Sequence, residues 1–202
     1  MKALLIRHPQ TEWNRAGRLQ GRLDSPITPR GLAECDALIT AIAASGLKPE
    51  RVFSSPLGRA QQTALLIAER FHCALQLEAA LQEQDFGEFE GRVLHEIRRE
   101  YPLFAEDEHF QPPLGESLAQ AVARVQAFLQ RLPTQCTHEA VALVSHGQII
   151  QGIIAQLMDN SLANMARYRH PNASYALLDI DGDACRVARW GIASHLLRLP
   201  DV

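Results

Sequence analysis

No apolar run in this sequence approaches the roughly 20 residues that a helix needs to cross a bilayer. The first residues also lack a charged n-region followed by a long apolar h-region, so no export signal is expected and a cytoplasmic location is. An excess of positive charge is missing as well. The formal net charge is −3, which leaves no electrostatic footprint for nucleic acid or an anionic membrane surface; any anion site must be a local concentration of arginine. Cysteine is sparse: Cys35, Cys73, Cys136 and Cys185 are scattered, with no C-x-x-C pair and no histidine at metal spacing. Neither a zinc site nor a disulfide framework is indicated, no metal or cofactor is expected, and reduced thiols are the default. No internal repeat and no linker divides the 202 residues, so one domain over 1–202 is predicted. Oligomeric state leaves no trace in the pattern.

What is present is one design used twice. Ala3-Leu4-Leu5-Ile6 has four aliphatic residues without helical spacing, the pattern of a strand buried on both faces, and it ends in Arg7-His8. The run from Ala140 to Ser145 repeats it and ends in His146-Gly147. In open α/β sheets ligands bind beyond the carboxyl ends of strands, so these residues are expected at the mouth of a site, offered to a ligand and not hidden in the core. Around them strands and helices alternate. Thr28-Pro29 opens an amphipathic helix closing near Gly46; residues 51–55 form a strand whose serines can cap the helix over 57–72; residues 74–81 read as a third strand. The polar loop 9–27 is longer than a connector needs to be. Another loop, 82–91, is acidic and aromatic. Residues 92–115, with Pro102, Pro112 and Pro113, mix short helical patterns and suit a small helical lid. Helices over 117 to about 132 and 148–158, then a hairpin of 174–180 and 186–192 turning at Asp181-Gly182-Asp183, complete the chain.

Taken together, the polar residues form an ordered pattern: Arg7-His8-x-x-Thr11-x-x-Asn14; Gly17-Arg18-x-Gln20-Gly21-x-x-Asp24-x-Pro26-x-Thr28-x-x-Gly31; Ser54-Ser55-Pro56-x-x-Arg59-x-x-x-Thr63-Ala64; Leu81-x-Glu83-x-x-Phe86-Gly87-x-x-Glu90-Gly91; Gly115-Glu116-Ser117; Ser145-His146-Gly147; Asn172-Ala173-Ser174. This resembles the histidine phosphatase superfamily, the fold of phosphoglycerate mutase, over nearly the whole chain. The resemblance implies a three-layer α/β/α fold with a mostly parallel central sheet and a lid inserted at about 92–115. It also implies a phosphoric monoester hydrolase of the histidine acid phosphatase kind. Its substrate would be a small phosphorylated metabolite, with no nucleic-acid or membrane partner.

The chemistry can be argued from the residues. A phosphomonoester is a dianion, and a metal-free site must offset its charge with guanidinium donors, each charged hydrogen bond contributing roughly 1.5–3 kcal/mol. Arg7 and Arg59 suit that task. A neutral imidazole with one nitrogen protonated and the other free is a competent nucleophile, and the resemblance gives that role to His8. By the same resemblance His146 donates to the transferring group, Glu83 protonates the leaving alkoxide and then activates water, and Asn14, Gln20, Gly21 and Gly147 bind phosphoryl oxygens or nearby substrate groups. Glu116 and Ser117 read as a helix start, Arg98 and Arg99 as a solvated helix face, and the other histidines as structural or exposed. Pro9 stands where the motif usually has Gly; proline has no N–H to give a phosphate, though a turn or helix can begin there. Two rival functions follow: a cofactor-dependent mutase using the same histidine, and a non-catalytic phosphate-binding module, for which Pro9 is the one argument.

Overall fold

The aliphatic run near the N-terminus is a strand at the centre of a sheet. The computed structural model describes residues 1–199, apart from the side chains of 105 and 198; residues 200–202 of the expected domain lie outside the described residues. The elements follow in the order β1 (Lys2–Arg7), α1 (Glu12–Arg15), α2 (Pro29–Ala44), β2 (Arg51–Ser54), α3 (Gly58–Phe71), β3 (Ala74–Leu77), α4 (Leu94–Glu100), α5 (Leu103–Glu106), α6 (Leu118–Gln135), β4 (Ala140–Ser145), α7 (Gly147–Asp159), β5 (Tyr175–Asp181) and β6 (Ala184–Ile192). The sheet order is β3-β2-β4-β1-β5-β6. The first four strands run parallel, and β5 and β6 join antiparallel at one side.

Side chains alternate across this sheet, and that alternation builds both layers. Ala3, Leu5, Phe53, Val141 and Leu143 face α6 and α7, where Val122, Val125, Phe128, Ile149 and Ile153 pack against them. Leu4, Ile6, Val52, Ala142 and Val144 face α2 and α3, with Leu38, Ile42, Ala60, Ala64 and Ile67. The arrangement is the expected α/β/α sandwich. A third, smaller apolar cluster of Leu19, Phe86, Phe89 and Ile97 ties the 9–27 loop to α4.

Several local expectations are corrected. The 9–27 loop contains the short helix α1, which starts after Thr11 and not at Pro9; Thr11 and Asn14 form a reciprocal capping box. Strand β3 stops at Leu77, because Glu78 turns to accept the N–H of Ala80 and starts a 3-10 turn over Ala79–Leu81. Helix α6 has the expected capped start, Ser117 with Gln120, but runs on through Pro133. The serines do not cap α3: Asp24, far back in the sequence, accepts the N–H groups of Gly58 and Arg59 at 2.7 and 3.3 Å.

Candidate active site

Register brings the chemistry to one edge. Arg7 pairs with Ser145 and Ser54 with Val144, so β1, β2 and β4 end level and the residues after them leave the sheet together. Beyond these ends lies a cavity of about 580 Å³. Eight of the nine residues expected there line it: Arg7 and His8 from β1, Asn14, Gln20 and Gly21 from the 9–27 loop, Arg59 from the first turn of α3, Glu83 from the loop after β3, and Gly147 at the start of α7. His146 is the exception. It is fully buried behind His8, the ring centroids 5.2 Å apart.

His8 is not the solvent-facing side chain its strand-end position suggests. It is 2% exposed and forms part of the cavity wall. Its Nδ1 lies 2.8 Å from the Pro9 carbonyl oxygen, which only accepts, so Nδ1 carries the proton. Nε2 is left as the acceptor and receives the Nε–H of Arg59 at 3.3 Å. Burial, then the positive charges of Arg59 and Arg7, holds its pKa well below the ordinary histidine value, so the ring is neutral. Proline thus removes an N–H from the motif while its carbonyl sets the tautomer. His146 is also kept neutral, by burial first and by Arg59 next. Its Nε2 lies 2.8 Å from the Ser55 hydroxyl, which itself accepts the N–H of Leu57, and its Nδ1 has no partner among the described residues.

The two guanidiniums differ. Arg59 is buried and engaged on every side: Nη1 donates to Asp24 and to the Leu23 carbonyl, both at 2.7 Å, Nη2 to the Gly21 carbonyl at 2.8 Å, and Nε to His8. Burial lowers its pKa, opposed by the Asp24 carboxylate. Arg7 is freer. Its Nη1 donates to the His170 carbonyl at 2.5 Å, while Nε is buried with no partner among the described residues. Burial brings its pKa down to about 10. The Arg7 side chain lies against Gly147, where a Cβ would come within 2.9 Å of Cζ and Nε and push the guanidinium aside.

Glu83 sits at the N-terminus of α7. Its carboxylate accepts the N–H groups of Gln84, Gln148 and Ile149 at 3.1 to 3.2 Å, and its side chain is nearly buried. Arg124 on α6 holds the loop from behind by donating to the carbonyls of Ala80, Gln82 and Glu83. Glu116 pairs with Arg124 at 2.5 Å and with Arg22 at 3.2 Å, so it does more than open a helix. In the 9–27 loop, Asn14 Oδ1 accepts from Thr11 and Asn172, Gln20 Oε1 accepts from Ser25, and Gly21 has φ +54° with no room for a side chain beside Glu90. Asp24 stood in the sequence pattern without a role, Ser55 only as a possible helix cap and Glu116 only as part of a helix start; their partners reveal what they do. Arg124 carried no signal at all.

Among the described residues, no group of three or more His, Cys, Asp or Glu side chains is placed to hold a metal ion, and no helix is long and apolar enough to cross a membrane. A neutral imidazole whose unprotonated nitrogen faces a guanidinium, set among arginines at the strand ends of an α/β sheet, defines a class of site: one built for a small, doubly charged oxyanion. The chain belongs to the histidine phosphatase superfamily (branch 1), whose family profile matches residues 3–193. It is 30% identical over 203 residues to phosphoserine phosphatase 1 of Hydrogenobacter thermophilus, covering 97% of this chain and 94% of that protein. It is 28% identical over 206 residues to a protein of Proteus mirabilis named as a probable phosphoglycerate mutase, covering 97% and 95%. Among solved structures it is similar to a mycobacterial glucosyl-3-phosphoglycerate phosphatase in complex with VO3, with a TM-score of 0.84, 26% identity, and coverage of 95% of this chain and 98% of that one.

Proposed function

We propose that this protein is a metal-independent phosphomonoesterase that hydrolyses a small phosphorylated metabolite through a phosphohistidine on His8. The observation that carries the reading is the tautomer: Nδ1–H is spent on the Pro9 carbonyl, which leaves Nε2 as the unprotonated nitrogen, held by the Arg59 Nε–H at 3.3 Å in the wall of an arginine-lined cavity. In the first displacement Nε2 attacks phosphorus, the ester P–O bond breaks, and the carboxylic acid form of Glu83 gives its proton to the departing alkoxide. In the second, the Glu83 carboxylate takes a proton from water, the water oxygen attacks phosphorus, the P–N bond breaks, and phosphate leaves. Both steps depend chiefly on positioning and on donors aimed at the equatorial oxygens.

In the immediate surroundings of His8, the Nε–H of Arg7 and Nδ1 of His146 are buried without a partner among the described residues. We assign the His146 proton to Nδ1, with the Ser55 O–H donating to Nε2; both groups then serve the transferring phosphoryl. Arg59, with its guanidinium already engaged, contributes charge and aligns His8. Asn14, Gln20, Gly21 and Gly147 complete the pocket for the phosphoryl group and its nearest neighbours. A cytoplasmic setting belongs to the same proposal, as the unpaired Cys35, Cys73, Cys136 and Cys185 suit a reducing compartment.

The test is a quenched reaction with a radiolabelled phosphomonoester. Label should be trapped on His8 in an acid-labile, alkali-stable form and be absent in His8→Asn; hydrolysis without any such intermediate would overturn the mechanism. Phosphate release in the absence of a bisphosphate primer supports hydrolysis, and primer-dependent isomerisation would support the mutase reading that the Proteus mirabilis relative's name raises. The Pro9 carbonyl, which keeps the nucleophile's tautomer, argues against a pocket that binds without turnover.

A further inference from the structure

The peptide group between Pro9 and Gln10 is held from both sides. Its carbonyl accepts the Nδ1–H of His8 at 2.8 Å, and its N–H donates to Glu34 Oε2 at 2.9 Å. A planar trans peptide points its C=O and N–H in opposite directions, so the two contacts form one polar line: carboxylate, amide, imidazole. The line has little freedom to swing. The pyrrolidine ring fixes φ at Pro9. The next carbonyl, that of Gln10, accepts the N–H of Thr28 at 3.0 Å and approaches α2 so closely that a Cβ at Gly31 would come within 2.2 Å of its oxygen.

Glu34 stands behind the cavity wall and does not line it. It lies on the buried face of α2 and is 5% exposed, a depth at which a carboxylate needs partners. Its Oε1 takes the Nε–H of Arg30 at 3.2 Å. That pair is four residues apart on one helix and would form as well on an open surface, so it does not account for the burial. The Gln10 N–H does.

We propose that Glu34 is a positioning residue for the nucleophile: through the Pro9–Gln10 peptide, its negative charge polarises the carbonyl that holds His8 and stabilises the positive charge the ring gains when Nε2 bonds to phosphorus. The proposal rests on the phosphohistidine reading. As the Nε2 lone pair becomes the N–P bond, the ring becomes an imidazolium and its Nδ1–H a charged donor. Hydrogen bonds from such donors are shorter and stronger, and an acceptor already polarised from its far end gains further. No proton moves along the line. Nδ1 keeps its hydrogen throughout, and the ring returns to neutrality when water displaces Nε2 and the electron pair of the P–N bond goes back to nitrogen. A carboxylate placed directly behind a catalytic imidazole orients it and offsets its charge in the same way; here a peptide group is interposed.

Glu34 also favours the Arg7 cation, so effects on phosphate binding and on His8 have to be read separately. Glu34→Gln keeps the shape and an acceptor for the Gln10 N–H but removes the charge, and Glu34→Ala removes both. In protein with 15N-labelled histidine rings, with His8→Asn to assign the signals, the His8 Nδ1 proton should resonate far downfield in wild type. It should move upfield in Glu34→Gln and further in Glu34→Ala. With a phosphomonoester, kcat should fall about tenfold in Glu34→Gln, the order of exchanging a charge-assisted hydrogen bond for a neutral one, and further in Glu34→Ala. Inhibition by inorganic phosphate should stay near the wild-type level. Weakened phosphate inhibition with kcat and the Nδ1 resonance unmoved would place Glu34 behind Arg7 and overturn the proposal, as would a fall in kcat with an unmoved resonance; either leaves the phosphohistidine reading intact. A wild type that hydrolyses esters without forming phosphohistidine sinks that reading and this one with it.

Discussion

Two buried imidazoles that stay neutral make the fold sensitive to acid in a calculable way. His8 and His146 both have pKa values held far below that of a free histidine, by burial first and then by the cations around them. In the unfolded chain each titrates near 6.5. Below that pH the unfolded state binds protons that the folded state refuses, so stability is full above about pH 6.5 and is lost as the pH falls. Between pH 6.5 and 5.5 a free histidine goes from half to about ten-elevenths protonated, and integrating that uptake gives about 1 kcal/mol per histidine. The pair should therefore lower the unfolding free energy by about 2 kcal/mol over that one unit, and His170, shifted the same way by burial, adds to it. The measurement is urea unfolding at pH 7.5, 6.5 and 5.5 in buffers free of phosphate and vanadate, for wild type and for His8→Asn. Carboxylates titrate alike in both proteins and cancel. The variant lacks one of the two contributions, so the stability difference between the proteins should shift by about 1 kcal/mol in the variant's favour from pH 6.5 to 5.5. Parallel pH profiles would show that His8 takes up a proton in the folded state, and the neutral nucleophile would have to be abandoned.

Three substitutions probe the rest of the site. Glu83→Gln keeps the shape of the side chain and one of the two acceptor oxygens that receive the N–H groups of Gln148 and Ile149 but cannot supply a proton; it should slow alkyl phosphates by 10²-fold or more, on the order of general acid catalysis, and p-nitrophenyl phosphate far less. Equal losses on both would make Glu83 a structural residue. Gly147→Ala places a methyl 2.9 Å from the Arg7 guanidinium and should raise KM for every phosphomonoester tested, with inhibition by vanadate weakened in parallel; unchanged vanadate inhibition would remove Arg7 from the phosphoryl site. Ser55→Ala strands His146 Nε2 in the core, which should cost about 1–3 kcal/mol of stability and lower kcat more than it raises KM. Ser55→Thr should restore both, and a stability loss without any change in kcat would limit Ser55 to a structural part.

The sequence pattern located this site because the strands that carry it are short apolar runs ending abruptly in Arg7-His8 and Ser145-His146-Gly147, and parallel register then sets those ends level. What it concealed are contacts whose partners depend on the path of a loop. Asp24 meets Arg59 across 35 positions of sequence, and Arg124 reaches back more than 40 positions to the carbonyls around Glu83; nothing in periodicity or spacing encodes either distance. Depth was equally hidden. A strand terminus was expected to point its histidines outward, yet His8 is buried in a wall and His146 lies behind it, because the 9–27 loop and the Glu83 loop close over the edge of the sheet. That closure is what makes the chemistry feasible. An exposed imidazole next to two arginines would be screened by water, whereas a buried one feels both cations at low dielectric and must stay unprotonated. Pro9 fits the same logic: the residue that costs the motif an N–H contributes, through its carbonyl, the hydrogen bond that fixes which nitrogen of His8 stays unprotonated.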